Sequence, residues 1–219
     1  MVRRQQFEDE LLQVKRRVIA LLEASREQLN RSVKALYEAD VIEAKQVIED
    51  DKSLDELDLE INNMAILMIA KQQPVATDLR RLIVAIRLAT DIERMADNAK
   101  NIARSTIHLG NAHQLTIDSR LNQMTTIANN MIDLAIEAYE EEDIIKAKQL
   151  SEKDDAIDAL FGQVLKDMLS NKATEKDEIQ LIMQVAFSTR YIERFGDHLT
   201  NVAENIMYLV KGEIYDLNK

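Results

Sequence analysis

Residues 40–49 read Asp-Val-Ile-Glu-Ala-Lys-Gln-Val-Ile-Glu, and residues 143–152 read Asp-Ile-Ile-Lys-Ala-Lys-Gln-Leu-Ser-Glu, the same pattern 103 positions later. The correspondence runs on through Asp51/Asp154, Asp55/Asp158 and Leu57/Leu160. Further along the offset becomes 100: Ile92-Glu93-Arg94-Met95-Ala96-Asp97 aligns with Ile192-Glu193-Arg194-Phe195-Gly196-Asp197, and Asn101 with Asn201. The change of three falls across the Gln72-Gln73-Pro74 turn, where a surface connection tolerates insertions. Self-similarity at this period makes the chain a duplication of two units of about 105 residues.

Composition says what each unit is made of. The 219 residues include 4 Gly and 1 Pro, against about 15 and 11 for average usage at this length. Turn-rich β architectures and βαβ arrays are therefore excluded, and long helices remain. Phe7, Leu11, Val14, Val18, Leu21, Leu22, Leu29, Val33 and Leu36 recur at spacings of three, four and seven, predicting a helix over 7–38. Asp40 with Glu43 reads as a capping box opening a second helix, with Val47, Leu54, Ile61, Ala65 and Met68 on its apolar face. That helix must end near Gln73, because Pro74 disfavours helical geometry in the residue before it. A third helix starts past Pro74, capped at Thr77, with Leu79, Ile83, Ile86, Ala89 and Ile102 inward, and fades at His108–Gly110. Ser105–Asp118 reads as the junction between units. Helices over about 118–140, 143–169 and 175–210 follow, with Thr174 capping the last. The expected fold is all-α: two tandem, internally duplicated three-helix bundles, residues 1–110 and 111–219, built from six long antiparallel helices.

Charge and residue usage remove whole classes of function. The net charge of −11 disfavours nucleic acid as a main partner and fits cations or a basic protein surface. Zero Cys excludes disulfides, thiolate nucleophiles and Cys-ligated metal sites. The charged N-terminal stretch is unlike a signal peptide, and no apolar run approaches the ~18 residues that span a bilayer. A cytoplasmic protein without membrane insertion is expected.

The residues best kept between the repeats are polar. Asp51 and Asp55 are spaced i, i+4, as are Glu93 and Asp97, Asp154 and Asp158, and Glu193 and Asp197, so each pair shares a helix face. Like charges at that spacing repel by a few tenths of a kcal/mol, which a cation would offset. In a pair of helices folding back at one turn, residues whose numbers average to the turn lie level. Asp55 with Glu93 and Asp51 with Asp97 average to 74; Asp158 with Glu193 and Asp154 with Asp197 average to 175.5. Each unit can thus level four carboxylates on adjacent helices. Glu93 continues the row Leu79, Ile86, and Asp97 continues Ile83, which sets the acids at or beside the packed seam. Oxygen-only clusters suit Mg, Ca, Mn or iron; the competing reading is a solvated acidic face. Arg94 and Arg194 read as ion-pair partners orienting the acids. His198 reads as a surface or partner-facing residue, and His108 and His113 as surface residues of the junction.

Gln72-Gln-Pro-Val-Ala-Thr-Asp-Leu-Arg80, Asp91-Ile-Glu-Arg-Met-Ala-Asp-Asn-Ala-Lys-Asn-Ile102, its counterpart Tyr191–Asn201, the opening Phe7-Glu-Asp-Glu-Leu11 and the closing Glu204–Glu213 together resemble the PhoU family of bacterial phosphate-uptake regulators over nearly the whole chain. The resemblance implies tandem three-helix bundles. It implies multinuclear metal clusters, of iron or of zinc, Mg, Mn or Ca, held by Glu/Asp-x-x-x-Asp motifs at Asp51–Asp55, Glu93–Asp97, Asp154–Asp158 and Glu193–Asp197. It also implies a homodimer, and a negative regulator that couples the ATPase-bearing phosphate ABC transporter to a sensor histidine kinase and holds the phosphate-starvation response off. Two departures stand out: Asp91 is matched by Tyr191, and Met95-Ala96 replaces the family's usual Ile-Gly, which Gly196 keeps in part.

Two function classes follow. A non-enzymatic adaptor suits long helical faces with carboxylate sites and no G-x-x-x-x-G-K-[ST] loop. A carboxylate-bridged di-iron oxidase would need Glu-x-x-His on two helices; Ala96 and Gly196 stand three residues after Glu93 and Glu193, so that signature is missing.

Overall fold

In a computed structural model of the chain, residues 2–110, 117–170 and 176–217 are described. Among them are six helices and no strand: α1 (Val2–Glu38), α2 (Val41–Gln72), α3 (Ala76–Leu109), α4 (Arg120–Glu141), α5 (Ile144–Ser170) and α6 (Lys176–Lys211). The all-α expectation stands. α1, α2 and α3 pack on one another, as do α4, α5 and α6. In addition α3 lies along α6 and α1 along α4, so the two units meet face to face. One apolar core takes side chains from all six helices, among them Leu21, Ile61, Leu88, Met131, Ile157 and Phe195.

Gly110 and Gly212 end α3 and α6, but with so few glycines the chain ends three helices on other residues. Ala39, Gln73 and Glu142 take left-handed backbone angles, with φ of 53°, 48° and 53°. Each such residue costs roughly 1 kcal/mol, which a long packed helix on either side can sustain. The two unit-internal hairpins repeat this device at the offset of the duplication. Asp40 N–H donates to the Ala35 carbonyl at 2.9 Å, and Asp143 N–H to the Ala138 carbonyl at 2.9 Å.

Asp40 caps α2, accepting from the N–H groups of Ile42 and Glu43 at 3.0 and 2.9 Å. The Glu43 carboxylate instead accepts from Arg31 Nε at 2.6 Å, so the capping relation runs in one direction. Asp143 caps α5 in the same way through Ile145 N–H at 2.7 Å. Asp40→Ala is expected to lower stability by about 1 kcal/mol, read as a lower Tm with an unchanged helical spectrum.

Several sequence expectations shift. α1 begins at Val2 rather than near residue 7, with Arg4 tied to Glu8 and to Asp78. α3 is capped by Val75, which brings no side-chain hydrogen bond, so Thr77 is not its cap. Ser105–Leu109 remain helical, which moves the start of the junction to Gly110. The Thr174 cap and His113 lie outside the described residues. On α1 and α2 the predicted inward residues are buried except Leu11, which is half-buried. On α3 the predicted Ala89 and Ile102 are buried, together with Leu82, Ala85, Leu88, Ile92, Met95 and Ala99, while the predicted Leu79, Ile83 and Ile86 are half-buried. α3 is packed by α1, α2 and α6, so its deepest face is turned from the row that one neighbouring helix alone would select.

Candidate metal centre

That half-buried row positions the acids. Glu93 and Asp97 continue it toward the middle of α3, so their carboxylates emerge at the groove between α2 and α3. The equivalent groove in the second unit lies between α5 and α6.

In the second unit Asp158, Glu193 and Asp197 each place one carboxylate oxygen so that all three lie within 4.8 Å of one another. Asp154 lies beside them and is buried, with 7% of its surface exposed, as is Glu193 at 7%. Thr200 Oγ1 donates to Asp154 Oδ2 at 2.9 Å. The other oxygen, Asp154 Oδ1, and Glu193 Oε2 are buried without a hydrogen-bond partner. Asp154 reaches its position because Gly196 faces it: a Cβ there would stand 2.5 Å from Asp154 Oδ1. Burial, then the repulsion of Asp197, pushes the Glu193 carboxyl up to about 7. Burial likewise pushes Asp154 up to about 7, against the pull of the Thr200 hydroxyl and with Asp197 and Asp158 adding repulsion. Asp158 is raised by burial and by Asp197. Buried, crowded carboxylates with unpartnered oxygens need either protons or a cation. The donor set, oxygen only and partly desolvated, fits a hard or borderline divalent or trivalent ion.

In the first unit Asp55, Glu93 and Asp97 are close enough for burial and mutual repulsion to raise Asp55 and Glu93. Asp51, however, is satisfied by the protein. Gln28 Nε2 donates to its Oδ1 at 2.8 Å, and Lys100 pairs with its Oδ2. Lys100 pairs with Asp97 as well. The predicted levels are thus visible in both units, but the chemistry around them differs.

Sequence reasoning misassigned the cations. Arg94 and Arg194 are exposed; the orienting partners are Lys100 in the first unit and Arg190, paired with Glu193 and lying 5.7 Å over the Phe161 ring, in the second. Asp58 was also missed, although it stands three residues after Asp55 on the same face and contributes repulsion to Glu93. Lys100, three residues after Asp97, was legible by the same rule. His198 is not a surface residue. It is half-buried between α6 and α3, with Nδ1 3.3 Å from Asp91 Oδ1. Asn201 and Asn205 donate to the same carboxylate at 3.3 and 3.4 Å. His108 is exposed, as expected.

No helix among the described residues is long and apolar enough to cross a membrane. The PhoU domain family model matches the chain twice, over residues 18–106 and 121–206. The phosphate-specific transport system accessory protein PhoU homolog of Clostridium acetobutylicum is 31% identical over 213 residues, covering 97% of each chain. The homolog of that description from Aquifex aeolicus is 34% identical over 205 residues, 94% of this chain and 93% of its own. Among solved structures, PhoU of Pseudomonas aeruginosa superposes with a TM-score of 0.87 at 27% identity, over 94% of this chain and all of that one. The phosphate transport system regulatory protein PhoU of Streptococcus pneumoniae has the same fold, with a TM-score of 0.89 at 24% identity over 96% of this chain and 99% of its own.

Proposed function

The chain belongs to the PhoU family, and from that premise we propose that it is a non-enzymatic accessory regulator of phosphate uptake. In this reading it sits in the cytoplasm as a homodimer and couples a phosphate ABC transporter, through its ATPase subunit, to a sensor histidine kinase. It holds the phosphate-starvation response off while phosphate is plentiful. The observation that carries the reading is the family match in both halves of the chain, each half presenting a long helical hairpin with a carboxylate cluster. The division into units 1–110 and 111–219 is part of the proposal.

Asp158, Glu193 and Asp197, with Asp154 beside them, are the residues that would hold a metal ion; iron, zinc, Mg, Mn and Ca are the candidates. The ion would supply positive charge in a partly desolvated groove. The protein's own part is to bring acids from α5 and α6 level and to keep Asp154 dry beneath them. A net charge of −11 is repelled by anionic lipid, so attachment at the membrane runs through protein contacts.

The test is genetic. In a host whose own gene is deleted, a phosphate-starvation reporter is expected to be on in phosphate-rich medium and to be silenced by this chain. Affinity-tagged chain is expected to retain the transporter ATPase subunit. A reporter that stays silent in the deletion strain, or that the chain leaves on, contradicts the reading.

A further inference from the structure

We propose that Lys100 is the resident cation of the first carboxylate cluster, so that the chain carries its metal centre in the second unit alone. The proposal rests on the metal reading of the second cluster and concerns what the duplication changed. The four acids are kept between the units, and the differences lie in what surrounds them. Lys100 is matched by Thr200, Ala96 by Gly196, and Gln28 by Met131.

All three differences act in one direction. In the first unit Asp51 has both oxygens engaged, one by the Gln28 amide at 2.8 Å and one by the Lys100 ammonium. In the second unit a thioether replaces the amide and a hydroxyl replaces the ammonium, and Asp154 Oδ1 and Glu193 Oε2 are left bare. Gly196 is what admits Asp154 Oδ1 toward α6. The same approach in the first unit would drive Asp51 against the Ala96 methyl, and Asp51 is turned to Gln28 and Lys100 instead.

Lys100 also does mechanically what a bridging metal does. Its ammonium joins Asp51 on α2 to Asp97 on α3, with the Lys100 side chain only 14% exposed. Its ammonium is held between two carboxylates, one from each helix. A divalent ion would therefore meet a fixed positive charge within the groove. Arg190 is no counterpart: its side chain is 48% exposed at the rim, and it pairs with Glu193 Oε1 while Oε2 stays bare. Consistent with this, three carboxylate oxygens converge within 4.8 Å in the second unit; among the described residues no group of the first unit does so.

The test is titration of the chelator-stripped full chain with Mn2+ alone, following bound metal by electron paramagnetic resonance. Wild type is expected to fill one centre, lost in Asp158→Asn/Glu193→Gln and kept in Asp55→Asn/Glu93→Gln. Lys100→Thr, which copies the second unit, should gain a second centre with affinity at least 100-fold above that of the wild-type first cluster. Adding Asp55→Asn/Glu93→Gln should remove the gain. Lys100→Gln keeps length and donors without the charge, so it serves if the threonine variant does not fold, and should gain the same centre. Lys100→Arg should gain none. Wild-type binding that depends on Asp55 and Glu93, or neutral Lys100 variants that fold and bind no additional Mn2+, would overturn the proposal. If wild type binds no Mn2+ while Lys100→Gln does, the role of Lys100 stands and the metal reading of the second unit falls.

Discussion

Asp158→Asn/Glu193→Gln is expected to abolish the stabilisation of the protein by divalent metal. A ligand at 100 times its dissociation constant stabilises the folded state by about 2.7 kcal/mol. For a chain of this size that is roughly 5–10 °C in Tm. Wild type should show that shift on moving from excess Mn2+ to excess chelator, and the variant should show none. The same substitutions should make the metal-free protein more stable at pH 8, because they remove two crowded negative charges. The sign follows from linkage. Glu193 titrates at about 7 in the folded chain, against about 4.3 when unfolded. Its proton-linked stabilisation is complete below the unfolded value and is lost as pH rises through 7. Metal-free wild type should thus melt lower at pH 8 than at pH 5, more steeply than the variant; Asp154, also at about 7, adds to the slope of both, and less in the variant because the Asp158 charge that helps raise it is gone. Equal slopes for wild type and variant would contradict this.

Phe195→Ala is the second large effect. Phe195 is fully buried, between Glu193 and Gly196 in sequence, and points into the core from the face of α6 opposite the acids. Deleting its ring should cost about 3–5 kcal/mol through lost transfer energy and the cavity left behind, or roughly 6–20 °C in Tm. It should also weaken metal affinity, because Phe195 fixes the rotation of α6 that sets Glu193 and Asp197 level with Asp158. Leu169→Ala, at a position 79% exposed, should stay within about 0.5 kcal/mol of wild type. Denaturant melts of the three proteins, with and without Mn2+, separate the two contributions. A Phe195 variant as stable as wild type, or one that keeps full metal affinity, would show that this buried ring does not hold α6 in the rotation the acids need.

The helices were legible because apolar spacing, Asp40 and Pro74 each speak for local geometry. So were the levelled acids, because counting back from a turn is a statement about antiparallel helices alone. What escaped the sequence depends on contacts between helices. Ala89 and Ile102 are inward as their spacing predicts, but Leu79, Ile83 and Ile86 are not, because α6 covers a neighbouring face of α3; the same contact buries His198. Arg94 and Arg194 stand next to the acids in sequence, yet i+1 neighbours point about 100° apart on a helix. Lys100 and Asp58, three residues from an acid, had the better claim by that geometry. Ala96 against Gly196 marks a difference between the clusters in the sequence, but only the packing shows that Gly196 admits Asp154 and that Lys100 and Gln28 engage Asp51.

In the proposal above, the second-unit carboxylates form a cation site and Lys100 closes the first-unit carboxylates. Crystals of the full chain grown from chelator-stripped protein and soaked in Mn2+, with diffraction recorded at the manganese absorption edge, test it most directly. Anomalous density is expected between Asp158, Glu193 and Asp197, and none between Asp55, Glu93 and Asp97. Density in the first cluster, or in neither, would contradict it.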